Sequence, residues 1–387
     1  MQLSRRQVIL GAGGTALALV GGAGVFTVTM TAEAAVAPWR LDPQAGLDPR
    51  LDVFRHAILA PNPHNRQPWV LRLVGADEAV VSCDLDRRLP ETDPLDRQIT
   101  VGFGCFLELA ALAASRRGLR VEQQMFPEGE PEGRLDARPV ARLRFVADPA
   151  VKADPLSAHI TARRSNKEPY DVARRVPAEA LARLKTPTPA GLTLATSDDP
   201  AFVAAMRDLT WRSFETEFRT QRTLMESVRL MRIGATEVDA NPDGISLRGP
   251  MIESLRLAGL VSREELAKPG STAYQAGIDR YRGITGTAQA YLWINTEGNR
   301  ARDRIAAGRL YLRTNLAATA LGLSMSPLSQ ALQEFPEMRE HYAEMHRRLA
   351  PGGGTVQMLA RLGYGPEVAP SPRWPVEAKV APSSATS

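Results

Sequence analysis

The chain has 387 residues, 24% of them charged, and its 48 Lys and Arg against 43 Asp and Glu leave a formal net charge of +5. That length suits two domains or one large duplicated one. The basic residues are interleaved with acids, so no run of them marks a nucleic-acid groove, and the two cysteines, Cys83 and Cys105, belong to no metal-ligand spacing.

The first stretch, RRQVILGAGGTALALVGGAG, has two readings. From Val8 it resembles a strand entering Gly11-x-Gly13-x-x-Ala16, a dinucleotide fingerprint, with Glu33 where a ribose-binding acid would stand. From Arg5 it is a twin-arginine pair ahead of an apolar core, closed by the small-x-small cleavage site Ala32-Glu33-Ala34. No charged residue lies between Gln7 and Ala32, so a helix here would have no polar face for water, and Gly21, Gly22 and Gly24 would weaken it. The expectation is an export signal over residues 1–34 and an exported, periplasmic or extracytoplasmic protein. If uncleaved, the segment is long enough to anchor the chain in a membrane.

A lead-in punctuated by Pro and Asp precedes a helical pattern, LDVFRHAIL, whose apolar face is Leu51, Phe54 and Ile58. After a Pro-rich loop come strand patterns PWVLRLV and AVVSCDLD, a long apolar helix, ITVGFGCFLELAALAASRRG, ended by Gly118, and strands LRVEQQMF and ARLRFVAD. The cysteines read as small buried thiols. The second half predicts a helix through DPLSAHITARRSNKEPYD, another at PAEALARL, strand GLTLATSDD and a Met- and Arg-rich helix over 201–234. Residues 235–285 are poorly periodic and rich in Gly, Pro and Asp, either disordered or a functional cover. Strand AQAYLWINT, helix ARDRIAAGRLYLRTNLAATALG, the run LSMSPLSQ, helix FPEMREHYAEMHRRLA and strand VQMLARLGYG complete the pattern. The mixed order predicts an α+β fold, and "ALAASRRGLRVE" answers "LAATALGLSMSP" as a weak internal repeat.

Two clusters carry chemistry. In APNPHNRQPW three prolines hold the backbone, so that Asn62, His64, Asn65 and Gln67 are presented; amides that both donate and accept suit an uncharged heteroaromatic ring, and equally suit capping of the neighbouring elements. In ITARRSNKEPY, Arg163 and Lys167 would share a helix face beside Arg164 and Ser165. Such a group can hold a phosphate dianion or simply complement a helix C-terminus.

Together, "HNRQPW" after a Pro-rich turn and "RRSNK" before an aromatic resemble the two flavin-binding signatures of the FMN-dependent nitroreductase family. Their order is reversed relative to typical members, which resembles the twin-arginine-exported, Acg-like branch, where two nitroreductase-like halves are fused and one chain imitates a homodimer. The resemblance implies a three-layer α-β-α fold with halves at 35–150 and 151–376, a lid at 235–285, and a disordered tail at 377–387. It implies FMN held at its phosphate by Arg163, Arg164, Ser165, Lys167 and, from "SPRWP", Arg373. Asn62, Asn65 and Gln67 would address the ring and ribityl chain, joined by His64 in the branch's HNxQPW form. Pro327, Leu328 and Ser329 of "SPLSQ" would meet flavin N5. No protein side chain is then needed as a catalyst, because flavin N5 carries the hydride chemistry.

The implied activity passes electrons from NAD(P)H through FMN to a nitroaromatic, quinone or similar small acceptor. The implied partners are the twin-arginine export machinery and no nucleic acid, with a monomer acting as a pseudo-dimer. A flavin-binding or flavin-sequestering protein with a closed lid is the second reading; a cytoplasmic dehydrogenase led by Gly11 and Gly13 is the third.

Overall fold

Alternation of buried and exposed side chains builds the first sheet. In a computed structural model that describes residues 32–185 and 188–382, with the strand backbones at 8–10, 16–21 and 24–29, strands β1 (Trp69–Val74), β2 (Glu78–Cys83), β3 (Leu119–Met125) and β4 (Ala141–Ala147) form an antiparallel sheet of order β1-β2-β4-β3. Helix α1 (Pro49–Ala57) precedes the sheet, and helix α2 (Arg97–Ser115) joins its second and third strands. Trp69, Leu71, Val81 and Leu143 point into the core. The opposite face meets water through ion pairs such as Arg142–Glu78 and Arg144–Asp77.

The second half repeats this connectivity. Strands β5 (Leu192–Ser197), β8 (Ala290–Thr296), β9 (Ser324–Pro327) and β10 (Thr355–Gly363) form an antiparallel sheet of order β5-β8-β10-β9, and helix α10 (Ala301–Ala320) again joins the second and third of them. This sheet is covered on both faces. Leu292, Ile294, Ala360 and Leu362 join the central core, while Tyr291, Val356 and Leu359 pack on helix α4 (Pro200–Arg219) and helix α11 (Arg339–Leu349). The three layers α-β-α are thus found around the second sheet. The class is α+β.

The two halves meet along α2 and α10. A Cβ built on Gly104 would lie 2.9 Å from the Cα of Gly308, and the reverse distance is the same, so only glycine at both places lets the backbones touch. The α2 helix is apolar on nearly every side because it is buried on nearly every side.

Three stretches differ from the sequence reading. Residues 154–171 form no α-helix: Asp154 caps a 3-10 turn, Pro155–His159, and the chain then runs irregularly, with Asn166 N–H donating to Met325 O at the edge of β9. Glu168 N–H bonds the Asn166 side chain, a local turn that competes with helix. The expected helix over 201–234 breaks at Thr220, whose backbone is extended, into α4 and α5 (Gln221–Arg229). The aperiodic stretch is folded: β6 (Met231–Ile233) pairs in parallel with β7 (Ile245–Leu247), and helices α6 (Ala235–Ala240), α7 (Pro250–Leu257), α8 (Arg263–Ala267) and α9 (Thr272–Gly286) follow as a cover. Each of these elements except α9 is too short to show a period. Arg5, Arg6, Gly11 and Gly13 of the N-terminal stretch lie outside the described residues, as do 383–387 of the tail. Around the motif Ala32-Glu33-Ala34 the chain is packed: Ala32 and the following Ala35 sit against Ala235 and Val238, and Ala35 N–H donates to Asp239 Oδ1 at 2.8 Å.

Candidate functional site

The loop after α1 carries three non-glycine residues in the left-handed region, His64 (φ 46°), Asn65 (φ 52°) and Gln67 (φ 50°). Such conformations cost about 1–3 kcal/mol each and persist only where surroundings impose them. Asn62 Oδ1 accepts from Gln67 N–H at 2.7 Å. Asn65 Nδ2 donates to Pro372 O at 2.9 Å, and its Oδ1 accepts from Arg373 at 2.6 Å. Gln67, fully buried, donates to Pro242 O at 2.7 Å and accepts from Trp374 N–H at 3.0 Å. The amides of Asn62, Asn65 and Gln67 are therefore engaged by the chain itself, tying the loop to the C-terminal segment and to the cover.

Behind the loop, three guanidinium groups surround one indole. Arg163, Arg164 and Arg373 stand 5.7, 4.8 and 5.4 Å from the Trp39 ring centroid. Arg163 and Arg373 are each 2% exposed. Arg373 donates to the carbonyls of Ile58, Leu59 and Ala60, and Arg163 to Leu59 O and to Asn315 Oδ1. Arg163 Nε has no partner. No carboxylate is hydrogen-bonded to any of the three among the described residues. Burial, followed by the neighbouring charges of Arg163 and Arg164, pushes the Arg373 guanidinium well below its ordinary pKa. Buried cations without a counter-charge are costly, and a bound anion relieves that cost. Trp39 itself is held by Nε1 donating to Ser371 O at 2.8 Å.

Lys167 stands apart from this trio. Its charged neighbours are Glu217, Arg280 and Arg361, and it makes no hydrogen bond or ion pair among the described residues. The residue is exposed, and desolvation by the surrounding protein lowers the pKa of its ammonium. Arg361, fully buried and 3.7 Å from the Tyr170 ring centroid, fixes the strap on either side of Lys167 by donating to Asn166 O and Glu168 O. His64 feels the Lys167 charge; burial first, then that charge, pushes its imidazole down to about 3, and its Nδ1 has no partner. So the structure brings Arg163, Arg164 and Arg373 together and leaves Lys167 apart from them. Ser165 is partly buried between them in sequence.

In the SPLSQ segment, Pro327 has no N–H and Leu328 N–H already donates to Leu359 O at 2.9 Å. Ser329, which caps the 3-10 turn Gln330–Leu332, is the residue whose N–H finds no acceptor among the described residues.

The cover is pinned over the loop. Asp243, 5% exposed, pairs with Arg87 at 2.5 Å, Arg232 at 2.7 Å and Arg66 at 3.7 Å, while Gly244 N–H reaches Asn65 O at 3.3 Å. Burial works against the Asp243 carboxylate, and Arg232 and Arg87 outweigh it, holding its pKa below the ordinary value. Sequence reading missed Trp39, Asn315, Asp243 and Arg361. Trp39 is a lone aromatic in an aperiodic stretch, and the other three acquire partners only through folding.

No protein-family model matches the chain. Two curated proteins, from two strains of Mycobacterium tuberculosis, carry the provisional name NAD(P)H nitroreductase; each is 26% identical over 352 residues, covering 84% of this chain and 91% of its own. Among solved structures, a nitroreductase with bound FMN from Bacteroides fragilis is 15% identical with a TM-score of 0.32, covering 56% of this chain and 91% of its own. The FMN-dependent nitroreductase NfnB from Mycobacterium smegmatis in complex with NADPH is 14% identical with a TM-score of 0.34, covering 57% and 94%. At those scores neither overlap supports an inference.

Proposed function

We propose that the protein is an FMN-dependent oxidoreductase of nitroreductase type, exported, with two fused nitroreductase-like halves. The observation that carries this reading is the guanidinium trio: two buried arginines and a half-buried third around Trp39, with no hydrogen-bonded carboxylate among the described residues and Glu367 acting only on Arg164 from a distance, would suit a dianion such as the FMN phosphate. The repeated sheet connectivity and the named relatives support it. The twin-arginine stretch supports export.

The residues present fit FMN. Arg163, Arg164, Arg373 and Ser165 would take the phosphate, Arg163 keeping an unpartnered Nε, and Lys167, His64 and Ser329 would take the ring, His64 through its unpartnered Nδ1. Asn62, Asn65 and Gln67 shape the loop that carries His64. Bound FMN supplies a two-electron redox centre. The chain binds it, orients it and excludes water beneath the cover; NAD(P)H is the proposed electron donor and a nitroaromatic or quinone the acceptor. The test is the visible flavin absorbance of the purified full chain, its bleaching by NADPH or NADH, and its recovery with a nitro compound. A colourless protein that FMN does not stabilise overturns the reading.

The pinning of Asp243 favours a second reading, a flavin-holding protein with little turnover. That reading expects bound flavin that NADPH reduces only after the cover is released.

A further inference from the structure

One residue, Ala35, ties the N-terminal segment both to the cover and to the guanidinium trio. It is 1% exposed. Its N–H donates to Asp239 Oδ1 on α6 at 2.8 Å, and its carbonyl accepts from Arg373 N–H at 2.8 Å. Four residues on, Trp39 stands among the three arginines and donates to Ser371 O. Asp239 has no ion pair and no second hydrogen-bond donor among the described residues; Arg248, the cation it acts on, donates instead to Pro370 O at 2.6 Å. A partly buried carboxylate is thus matched to a neutral backbone amide. That amide directly follows the small-x-small motif Ala32-Glu33-Ala34, whose last two residues are exposed. A cut after Ala34 would make the nitrogen already bonded to Asp239 the first atom of the chain.

We propose that the Ala34–Ala35 bond is a processing site and that Asp239 is the receptor for the N-terminus it releases, so that removing the export signal locks the cover. The inference rests on the export reading. A peptidase of the export route hydrolyses the bond. Water gives its hydroxyl to the Ala34 carbonyl carbon and a proton to the Ala35 nitrogen; the new acid's proton passes to the amine, leaving an Ala34 carboxylate and an Ala35 ammonium. An α-amino group beside a carboxylate is charged at neutral pH. It forms on the atom 2.8 Å from Asp239 Oδ1, which turns an amide hydrogen bond into an ion pair. A peptidase reads an extended segment, so the cut comes before the single helical turn Glu33–Val36 closes on α6. Cutting also removes contacts: Ala32 leaves Ala235 and Val238, and Ala34 O no longer accepts from Ala37 N–H. The ion pair offsets that loss and keeps Ala35 O on Arg373 N–H.

The test starts from the full chain exported by its own signal, whose N-terminal sequence should begin Ala35-Val36-Ala37. The Ala34→Leu chain, lacking the small residue before the bond, should stay uncut, and both are studied in the same detergent. Asp239→Asn should speed hydrogen exchange across 231–247 about tenfold more in the cut chain than in the uncut one, because only the cut chain loses an ion pair. If cut Asp239→Asn does not fold, cut wild type serves alone: its Ala35 amine should react with an acylating reagent about tenfold more slowly in native buffer than in urea. An exported protein with any other N-terminus, equal exchange changes in the two chains, or an amine labelled as fast natively as in urea overturns the proposal. A chain left inside the cell with Met1 in place overturns the export reading as well, and its location tells that failure from the others.

Discussion

Gly104 and Gly308 let the central helices of the two halves touch backbone to backbone, each too close to the other for a Cβ. An added methyl at either position would strike a carbonyl oxygen of the facing helix, Ile305 O or Val101 O, and neither can move without shifting its helix. Gly308→Ala should therefore destabilise the fold by about 1–3 kcal/mol, the range for overpacked cores. Denaturant midpoints at unchanged slope check it; an unchanged midpoint means the helices are not in this contact.

The guanidinium trio should be an anion receptor even before any cofactor is supplied. Inorganic phosphate should raise the melting temperature of flavin-free wild type, because a ligand that binds only the native state stabilises it by mass action. Arg164→Ala, at the half-buried member that donates to the carbonyls of Thr161, Arg163 and Val368, should weaken both that shift and FMN affinity by roughly tenfold, a loss of about 1.4 kcal/mol in charge-assisted bonding. Fluorescence quenching of FMN measures the second effect.

Asp243→Asn should loosen the cover. Removing a buried carboxylate strands Arg66, Arg87 and Arg232, a change worth about 3–5 kcal/mol in comparable buried pairs. Proteolysis and hydrogen exchange should rise within 231–286 and much less in α2. Because the Asp243 pKa is depressed in the folded state, this tie is fully present above its ordinary value of 3.8 and is lost only as pH falls below it. Neutral and mildly acidic solutions should leave the cover shut.

Lys379 donates to Gln67 O at 2.8 Å from a site 6% exposed, and burial followed by the Arg87 charge brings its pKa down to about 7 from 10.5. A cation whose folded value lies below its unfolded one binds fewer protons when folded. Wild-type stability should accordingly rise with pH between about 7 and 10.5 relative to Lys379→Met, and the difference should be greatest below that window. Unfolding midpoints of both proteins across that range check the sign.

The cysteines should stay silent towards thiol reagents until the chain unfolds. Cys105 Sγ donates to Gly308 O at 3.2 Å, and burial pushes its pKa up to about 12. Cys83 is raised further by the same cause. Both are free and buried, so two thiols should titrate in denaturant and none in native buffer.

Most strands and the two central helices were legible because their burial patterns extend over six or more residues, as in β1 and α2. The cover was not legible, because elements such as β6 and α8 have three and five residues. The RRSNK stretch misled for a different reason: its spacing is helical, but Asn166 spends its backbone on Met325 and its side chain on Pro366 O and Glu168 N–H. Of the candidate residues, the arginines could be named from their motif. Their arrangement around Trp39 depended on a residue more than a hundred positions away.

The repeated connectivity also has a bearing on dilution. Asn65 belongs to the first half and Arg373 follows the last strand of the second, yet they are 2.6 Å apart. In a site assembled from separate subunits such a contact is forfeited when the protein is scarce, whereas a single covalent chain keeps the second half at a fixed effective concentration near the first. The Asn65–Arg373 bond is therefore independent of how concentrated the protein is.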